Sequence, residues 1–413
     1  MPRLLVDVTP LRTSRNFRLL FIGQFVSVLG SNLTVVAVAY QVYERTNSSL
    51  WVGLVSFIQL PALIVGSLWG GALGDRFDRR TLLVWVSFFL GLLSCALGAN
   101  ALLSHANFLV LILVPAAAAG LAGVAGPLRT AVIPTMVAPE ELVAAYSLNQ
   151  VLMNTGTLVG PASAGVLLAT VGLSWCYFVD GATFFALVLS TFLMSPMRPV
   201  GQHQGQKMLR AIAEGFSYVR RHAVVQAVYL VDLNAMVFGL PRALFPAVTK
   251  HVYHAGPEVL GLLYAAPGAG AFVMAIVTGW LDQVRRRGRL VVLVVLTWGV
   301  VMALFGLVPV LWVGLVCLGV AGAMDVISTV LRSTILQTSI TDDFRSRISS
   351  IQMAVVTGGP RLGDLESGAV ASLSSTEFSI VSGGVMCVLG VFALVRWRPT
   401  FWKERSLDAA NGE

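Results

Sequence analysis

Six ionisable residues lie inside runs that are otherwise apolar: Asp232 in "LVDLNAMVF", Asp325 and Arg332 in "GAMDVISTVLRST", and Arg361, Asp364 and Glu366 in "VVTGGPRLGDLESGAVASL". An ionisable side chain at membrane depth carries an insertion penalty of at least ~2.5–3.5 kcal/mol, so its presence there points first to function. A buried carboxylate can trade its charge for a proton, and that trade biases one conformation against another. Asp325 and Arg332 are seven apart and share a face at about 100° per residue, so they can pair with each other or with neighbours. Arg361 and Asp364 are three apart, about 60° around a helix, and can pair on one face. Glu366 points about 160° from Asp364 and must find another neighbour or the outer interface. Beside each proton-coupling reading stands a structural one, a permanent ion pair that locks helix packing.

The elements that must hold these groups follow from composition. Of 413 residues, 56% are apolar and 12% charged, with mean hydropathy +0.80. Soluble domains carry about 25% charge. The apolar runs are continuous and about 20 residues long, which predicts helical spans and not the alternating strands of a barrel. Twelve spans are predicted, the eleventh over roughly 347–373. The chain divides into an N-terminal bundle (1–194), a cytoplasmic linker with an amphipathic surface helix (195–222), and a C-terminal bundle with a tail (223–413). With the N-terminus inside, the cytoplasmic segments collect 22 of the 28 Lys and Arg residues, so both termini are expected in the cytoplasm. The net charge of +8 is therefore a topology signal and not a nucleic-acid footprint. The four cysteines sit in apolar runs without CxxC spacing, and no metal site or cofactor is expected.

The halves resemble one another. Asp75 and Asp282 follow spans two and eight at a separation of 207, Arg129 and Arg332 lie 203 apart, and Pro161 and Pro360 lie 199 apart. Three near-equal offsets predict a six-plus-six parallel repeat with a cavity at the midplane. In that register Arg361 stands where the first half has Ala162, and Asp364 where it has Gly165.

Two motifs add detail. "GGALGDRFDRRTLL" places Gly71 and Gly74 for close helix approach, Asp75 near Arg76 and Arg79, and Arg79 and Arg80 at the inner surface. "GTLVGPASAG" holds Gly156, Gly160, Pro161 and Gly165, which permit backbone-to-backbone packing and a bend. With these motifs the chain resembles the major facilitator superfamily; Asp78, where many members have glycine, is a departure from the first motif. The resemblance implies an all-α membrane protein of twelve transmembrane helices in two pseudo-symmetric six-helix bundles. It implies a cytoplasmic gate at Gly71, Gly74, Asp75, Arg76, Arg79 and Arg80, with Asp75 facing the region of Ser346 and Arg347. It also implies an antiporter-type motif on helix five. Longer stretches, including "RISSIQMAVVTGG", look like the bacterial enterobactin exporter branch and its neighbouring macrolide and multidrug efflux permeases.

The expected function is a secondary active exporter of a siderophore-like or amphipathic small molecule, working by alternating access as a proton antiporter. A multidrug or macrolide efflux pump, or an importer of the same fold, are the alternatives. A membrane-embedded enzyme is disfavoured, because His-Glu-x-x-His and Gly-x-Ser-x-Gly are absent from the sequence. Asp232, Asp325, Arg332, Arg361, Asp364 and Glu366 are the expected coupling or buried polar network, and Gln24, Asn32 and Arg242 the candidate cavity lining. The expected partners are substrate, protons and lipid, with no nucleic acid. The expected setting is the bacterial inner membrane, as a monomer.

Overall fold

In a computed structural model, residues 7–197, 217–339 and 345–402 are described. Among them are twelve long helices: α1 Arg15–Thr46, α2 Ser49–Gly74, α3 Arg79–Leu102, α4 Phe108–Met136, α5 Leu142–Thr170, α6 Leu173–Phe192, α7 Ala223–Phe238, α8 Pro257–Val277, α9 Arg287–Leu307, α10 Leu311–Ser339, α11 Arg345–Leu373 and α12 Thr376–Trp397. Eleven of them lie in stretches long and apolar enough to cross a membrane, the one that begins with α7 running on through the short turns to Val252. The remaining one, α11, is 29 residues and so about 43 Å long, ample to span, but it carries Arg345, Arg347, Arg361, Asp364 and Glu366. Its length comes from sequence periodicity; its charge must be accommodated by packing. Most of the amphipathic linker helix expected before α7 lies outside the described residues, as do the side chains of Ser346 and Arg347.

Polar caps mark where chains leave the apolar layer. Asn107 opens α4 by accepting from Leu109 N–H at 2.9 Å, and Ser375 opens α12 by accepting from Phe378 N–H at 3.2 Å. Between α5 and α6 the chain turns at Gly172, whose φ of 104° is open to glycine and strained for side chains.

The chain clusters into two compact units. One comprises Met1–Glu44, Ile58–Gly205 and Gly256–Ala265; the other comprises Arg45–Phe57, Gln206–Ala255 and Ala266–Glu413. In the first, α3 packs most extensively on α6; in the second, the corresponding pair is α9 on α12. The first turns of α2 and α8 thus group with the unit opposite to the rest of each helix, and glycines explain both cases. In the first unit, a Cβ on Gly165 of α5 would lie 2.9 Å from the Cα of Gly261 in α8. In the second, Gly53 of α2 rests directly on the carbonyl of Asp364 in α11, and Gly368 lies over the backbone of Ser49 and Leu50. Asp364 is the repeat counterpart of Gly165, so the same kind of glycine crossing recurs in both units.

Helix α7 stops early. Gly239 and Pro241 end it, and short turns at Arg242–Leu244, Phe245–Ala247 and Val248–Val252 carry the chain on. The backbone groups freed by that break find side chains: Trp298 donates from Nε1 to the Gly239 carbonyl at 2.6 Å, and the Ala243 N–H donates to Asp364 Oδ1 at 3.1 Å. Unsatisfied backbone at membrane depth is expensive, so these two bonds are what make the break tolerable.

The glycine crossings differ sharply in available space. Nothing lies within 4 Å of a Cβ built on Gly71. Gly261→Leu is therefore expected to lower the melting temperature of the detergent-solubilised protein, by an overpacking penalty of about 1–3 kcal/mol. Gly71→Ala should melt at or above the wild type; equal behaviour of the two variants would contradict the crossing described.

Candidate functional site

The charged residues of α7, α10 and α11 occupy one unit and form two connected groups. In the first, Arg332 of α10 donates from Nη1 to Asp232 of α7, and both residues are only 5% exposed. The same guanidinium donates from Nη2 to Thr329 Oγ1 at 3.1 Å, and Thr329 approaches Asp325 Oδ1 at 3.5 Å. Asp325 and Arg332 share a helix face, as their spacing predicts. Yet Arg332 crosses to Asp232 on another helix. A single guanidinium thus serves two carboxylates, and the group carries one excess negative charge when both acids are ionised.

The second group is built on α11. Asp364 accepts from Ser56 Oγ at 2.6 Å and from the Ala243 N–H. Arg361 donates to the carbonyl of Thr357 at 2.9 Å, and its buried Nε has no partner. The direct Arg361–Asp364 pair allowed by their spacing does not form. Side chains on a helix lean toward its N-terminus, which carries Arg361 back one turn while Asp364 is held by Ser56 and the α7 break. Their charges still interact through space, and Arg242 lies within electrostatic reach of Asp325, Asp364 and Arg361. Arg242 itself is exposed and opens the turn after the break. Glu366 is half-buried and joins neither group.

The other unit carries the two motifs. Gly156 meets the side chain of Val28, Gly160 lies 2.5 Å from Asn32 Cβ when given a Cβ, and Gly165 faces α8. Pro161 lies inside α5 beside this face. Of the candidate cavity-lining residues on α1, Gln24 is buried at 3% exposure, and Asn32 donates to its own helix at Val28 O, 2.8 Å. Asp180, outside both motifs, accepts from Thr34 at 2.6 Å and Ser94 at 2.7 Å and so ties α6 to α1 and α3.

At the end of α2, Gly74 packs on Leu128, whereas a Cβ on Gly71 would meet nothing within 4 Å; close glycine contacts of α2 with α4 are at Gly66 and Gly70. Asp75 and Arg76 are exposed. Arg79 donates from Nη1 to Ala131 O at 3.1 Å and from Nε to Gly74 O at 3.2 Å, and Arg80 reaches the Phe192 carbonyl while lying 5.2 Å from its ring centroid. Asp78 is the N-cap of α3, accepting from Thr81 N–H at 2.9 Å and from Met197 N–H at 2.7 Å. Partial burial pushes the Asp78 carboxyl up, but those backbone bonds, the Thr81 hydroxyl and Arg80 outweigh it and hold it below the ordinary value of 3.8.

Sequence reasoning singled out the charged members of both groups. It missed Ser56, Thr329 and the Ala243 N–H, because hydroxyls are common in membrane helices and a backbone donor carries no residue signature.

Comparison with known proteins places this geometry in context. The profile of a family described as transmembrane secretion effector matches residues 6–412. The chain is 29% identical over 403 residues to proteins named enterobactin exporter EntS from Shigella boydii serotype 18 and Escherichia coli O139:H28, covering 96% of each chain. Among solved structures it is similar to a variant of the nucleoside transporter NupG, at TM-score 0.74 and 11% identity, covering 92% of this chain and 99% of that one. It is also similar to a bacterial homologue of the lysosomal transporter Spinster, at TM-score 0.69 and 14% identity, covering 94% and 95%.

Two outcomes follow from the ion pair and the cap. Asp232→Asn should destabilise the protein by at most about 3–5 kcal/mol, since it takes from the buried guanidinium its direct carboxylate and leaves it Thr329 and Asp325. The double variant Asp232→Asn/Arg332→Gln should recover most of that loss in a thermal melt; additive losses would show that the two residues do not interact. Asp78→Ala should cost about 1 kcal/mol near neutral pH. Because the folded carboxyl titrates below its unfolded value, this contribution is present above the ordinary carboxylate range. It fades as pH falls through the lower folded value, so wild type and variant should converge in acid.

Proposed function

The chain belongs to the transmembrane secretion effector family of the major facilitator superfamily, and from that premise we propose that it is a secondary active exporter of a siderophore-like or amphipathic small molecule, driven by proton antiport. Its relatives at 29% identity are named enterobactin exporters, which supports a catecholate-like cargo. The location that follows is the bacterial inner membrane, with both termini cytoplasmic and the protein monomeric. Two six-helix halves, 1–194 and 223–413, would move around a midplane cavity, with the 195–222 linker between them.

The observation that carries the coupling is the sharing of Arg332 by two acids. With Asp232 ionised, Arg332 is held on α7. A proton taken up by Asp232 removes that attraction, and the guanidinium is left to Asp325 through Thr329 on its own helix. The α7–α10 tie is then present in one protonation state and weakened in the other, which is the difference in contacts that a coupled equilibrium needs. Asp364 acts in the same scheme on α11. Its bonds to Ser56 and to the broken segment after α7 hold as long as it can accept two donors. In the gate motif, the arginines Arg79 and Arg80 fasten the α2–α3 loop to α4 and α6, and the exposed Asp75 and Arg76 are left to make the changeable contacts.

The test is uptake into inverted membrane vesicles whose interior is made acidic, with a catecholate siderophore offered beside amphipathic antibiotics. Siderophore uptake should collapse when the gradient is dissipated. Asp232→Asn and Asp325→Asn should lose gradient-driven uptake while retaining substrate exchange. Uptake indifferent to the gradient would sink the antiport mechanism, and preferential uptake of the antibiotics would replace the cargo.

A further inference from the structure

A groove of about 570 Å³ runs between α7 and α12, lined by Leu233, Val237 and Phe238 on one side and by Ala393, Leu394 and Trp397 on the other. At Gly390 the two helices come close together. A Cβ there would collide with the Asn234 side chain, which crosses from α7 to donate to the Cys387 carbonyl at 2.8 Å. The same amide nitrogen approaches Cys387 Sγ at 3.7 Å, and apart from Asn234 and the Trp397 indole N–H the lining is apolar. The volume is of the order that small-molecule sites offer. No residue of the charged groups on α10 and α11 lines it.

One end of the groove carries the Arg398 guanidinium. The first turn of α7 and the last turn of α12 meet there, because Arg398 donates from Nη2 to Gln226 Oε1 at 2.8 Å. The same guanidinium lies 4.3 Å from the centroid of Trp397, the residue that closes the groove. Its Nε is buried and has no hydrogen-bond partner. Arg220 and Arg221 lead into α7, and Arg396 is exposed in the last turn of α12. The stretches 217–231 and 385–402 contain no Asp or Glu. The N-terminal end of α7 adds its own partial positive charge at this level.

We infer that the groove is a binding site for one anionic phospholipid, with an acyl chain between α7 and α12 and the phosphate at Arg398. An apolar slot suits a chain of methylenes, and the Arg398 guanidinium at its end suits a phosphate oxygen. A tryptophan beside the basic end sits where membrane proteins place amphipathic rings, at the head-group level. In the orientation expected from the basic loops, this end faces the cytoplasm, where anionic lipids gather basic side chains. The bound lipid would brace α12 against the helix that carries Asp232. This site is separate from the cargo and stands whether or not the transported molecule is a siderophore.

Native mass spectrometry of the full chain, with dioleoyl phosphatidylglycerol or dioleoyl phosphatidylcholine added to the detergent solution, tests the assignment. The wild type should retain phosphatidylglycerol in preference to phosphatidylcholine. Arg398→Gln should lower that retention roughly fivefold, the effect of one basic residue at a lipid surface. Ala393→Trp, which fills the slot, should lower retention of both lipids. Equal retention of the two lipids by the wild type would overturn the proposal without recourse to any variant. So would displacement of phosphatidylglycerol by glycerol 3-phosphate, which would mark a site for a free anion, or an unchanged preference in a folded Arg398→Gln protein.

Discussion

Charge inside a membrane span must be compensated by neighbours, and in this protein that requirement is met chiefly by the Asp232–Arg332 pair. Taking either ion out of water carries a desolvation penalty of several kcal/mol, which attraction in a low-dielectric setting offsets only when the geometry is good. Arg332 meets this with two sets of donors, one on Asp232 and one on Thr329. The pair ties α7 to α10 across a layer where apolar contacts alone give little directional preference, since lipid is as apolar as the side chains. Asp325 then stands as a second acid near a cation already engaged. The arrangement is satisfied in one protonation state and unbalanced in another, and a transporter can use that difference.

The same reasoning accounts for α11. Its charges exclude it from any purely compositional list of membrane helices, yet it is as long as its apolar neighbours. Asp364 is tolerated because it accepts an N–H that the Pro241 break leaves open, while Ser56 satisfies its other oxygen. The break in α7 and the charge on α11 therefore explain one another. At the equivalent position of the other half, Gly165 faces a glycine of α8, where only small residues fit. A packing surface in one repeat has become a hydrogen-bonding surface in the other, while the glycine crossing itself is kept.

The residues of the α2–α3 motif divide their contacts unevenly. A Cβ on Gly71 would meet nothing within 4 Å, whereas Gly66, Gly70 and Gly74 pack tightly on α4. Asp78, a departure from the common pattern, gains a role as the cap of α3 and as acceptor for Met197 after α6. Asp78, Arg79 and Arg80 are each bonded to backbone.

Helix number, helix length and the presence of charges at membrane depth were legible in the amino-acid sequence, because they depend on local composition and on distances along one chain. The family resemblance rested on the same footing, through glycine and arginine spacing that a linear motif preserves. Partner choice was not legible. Asp325 and Arg332 share a helix face and Arg361 and Asp364 can meet on another, so spacing alone permits two intrahelical pairs. The fold instead sends Arg332 to Asp232, 100 positions away, and Asp364 to Ser56, 308 positions away. Those partners are set by which helices cross and by where α7 breaks. Such contacts are decided by tertiary packing because a buried charge is satisfied by whatever donor or acceptor arrives in space, irrespective of its distance in sequence.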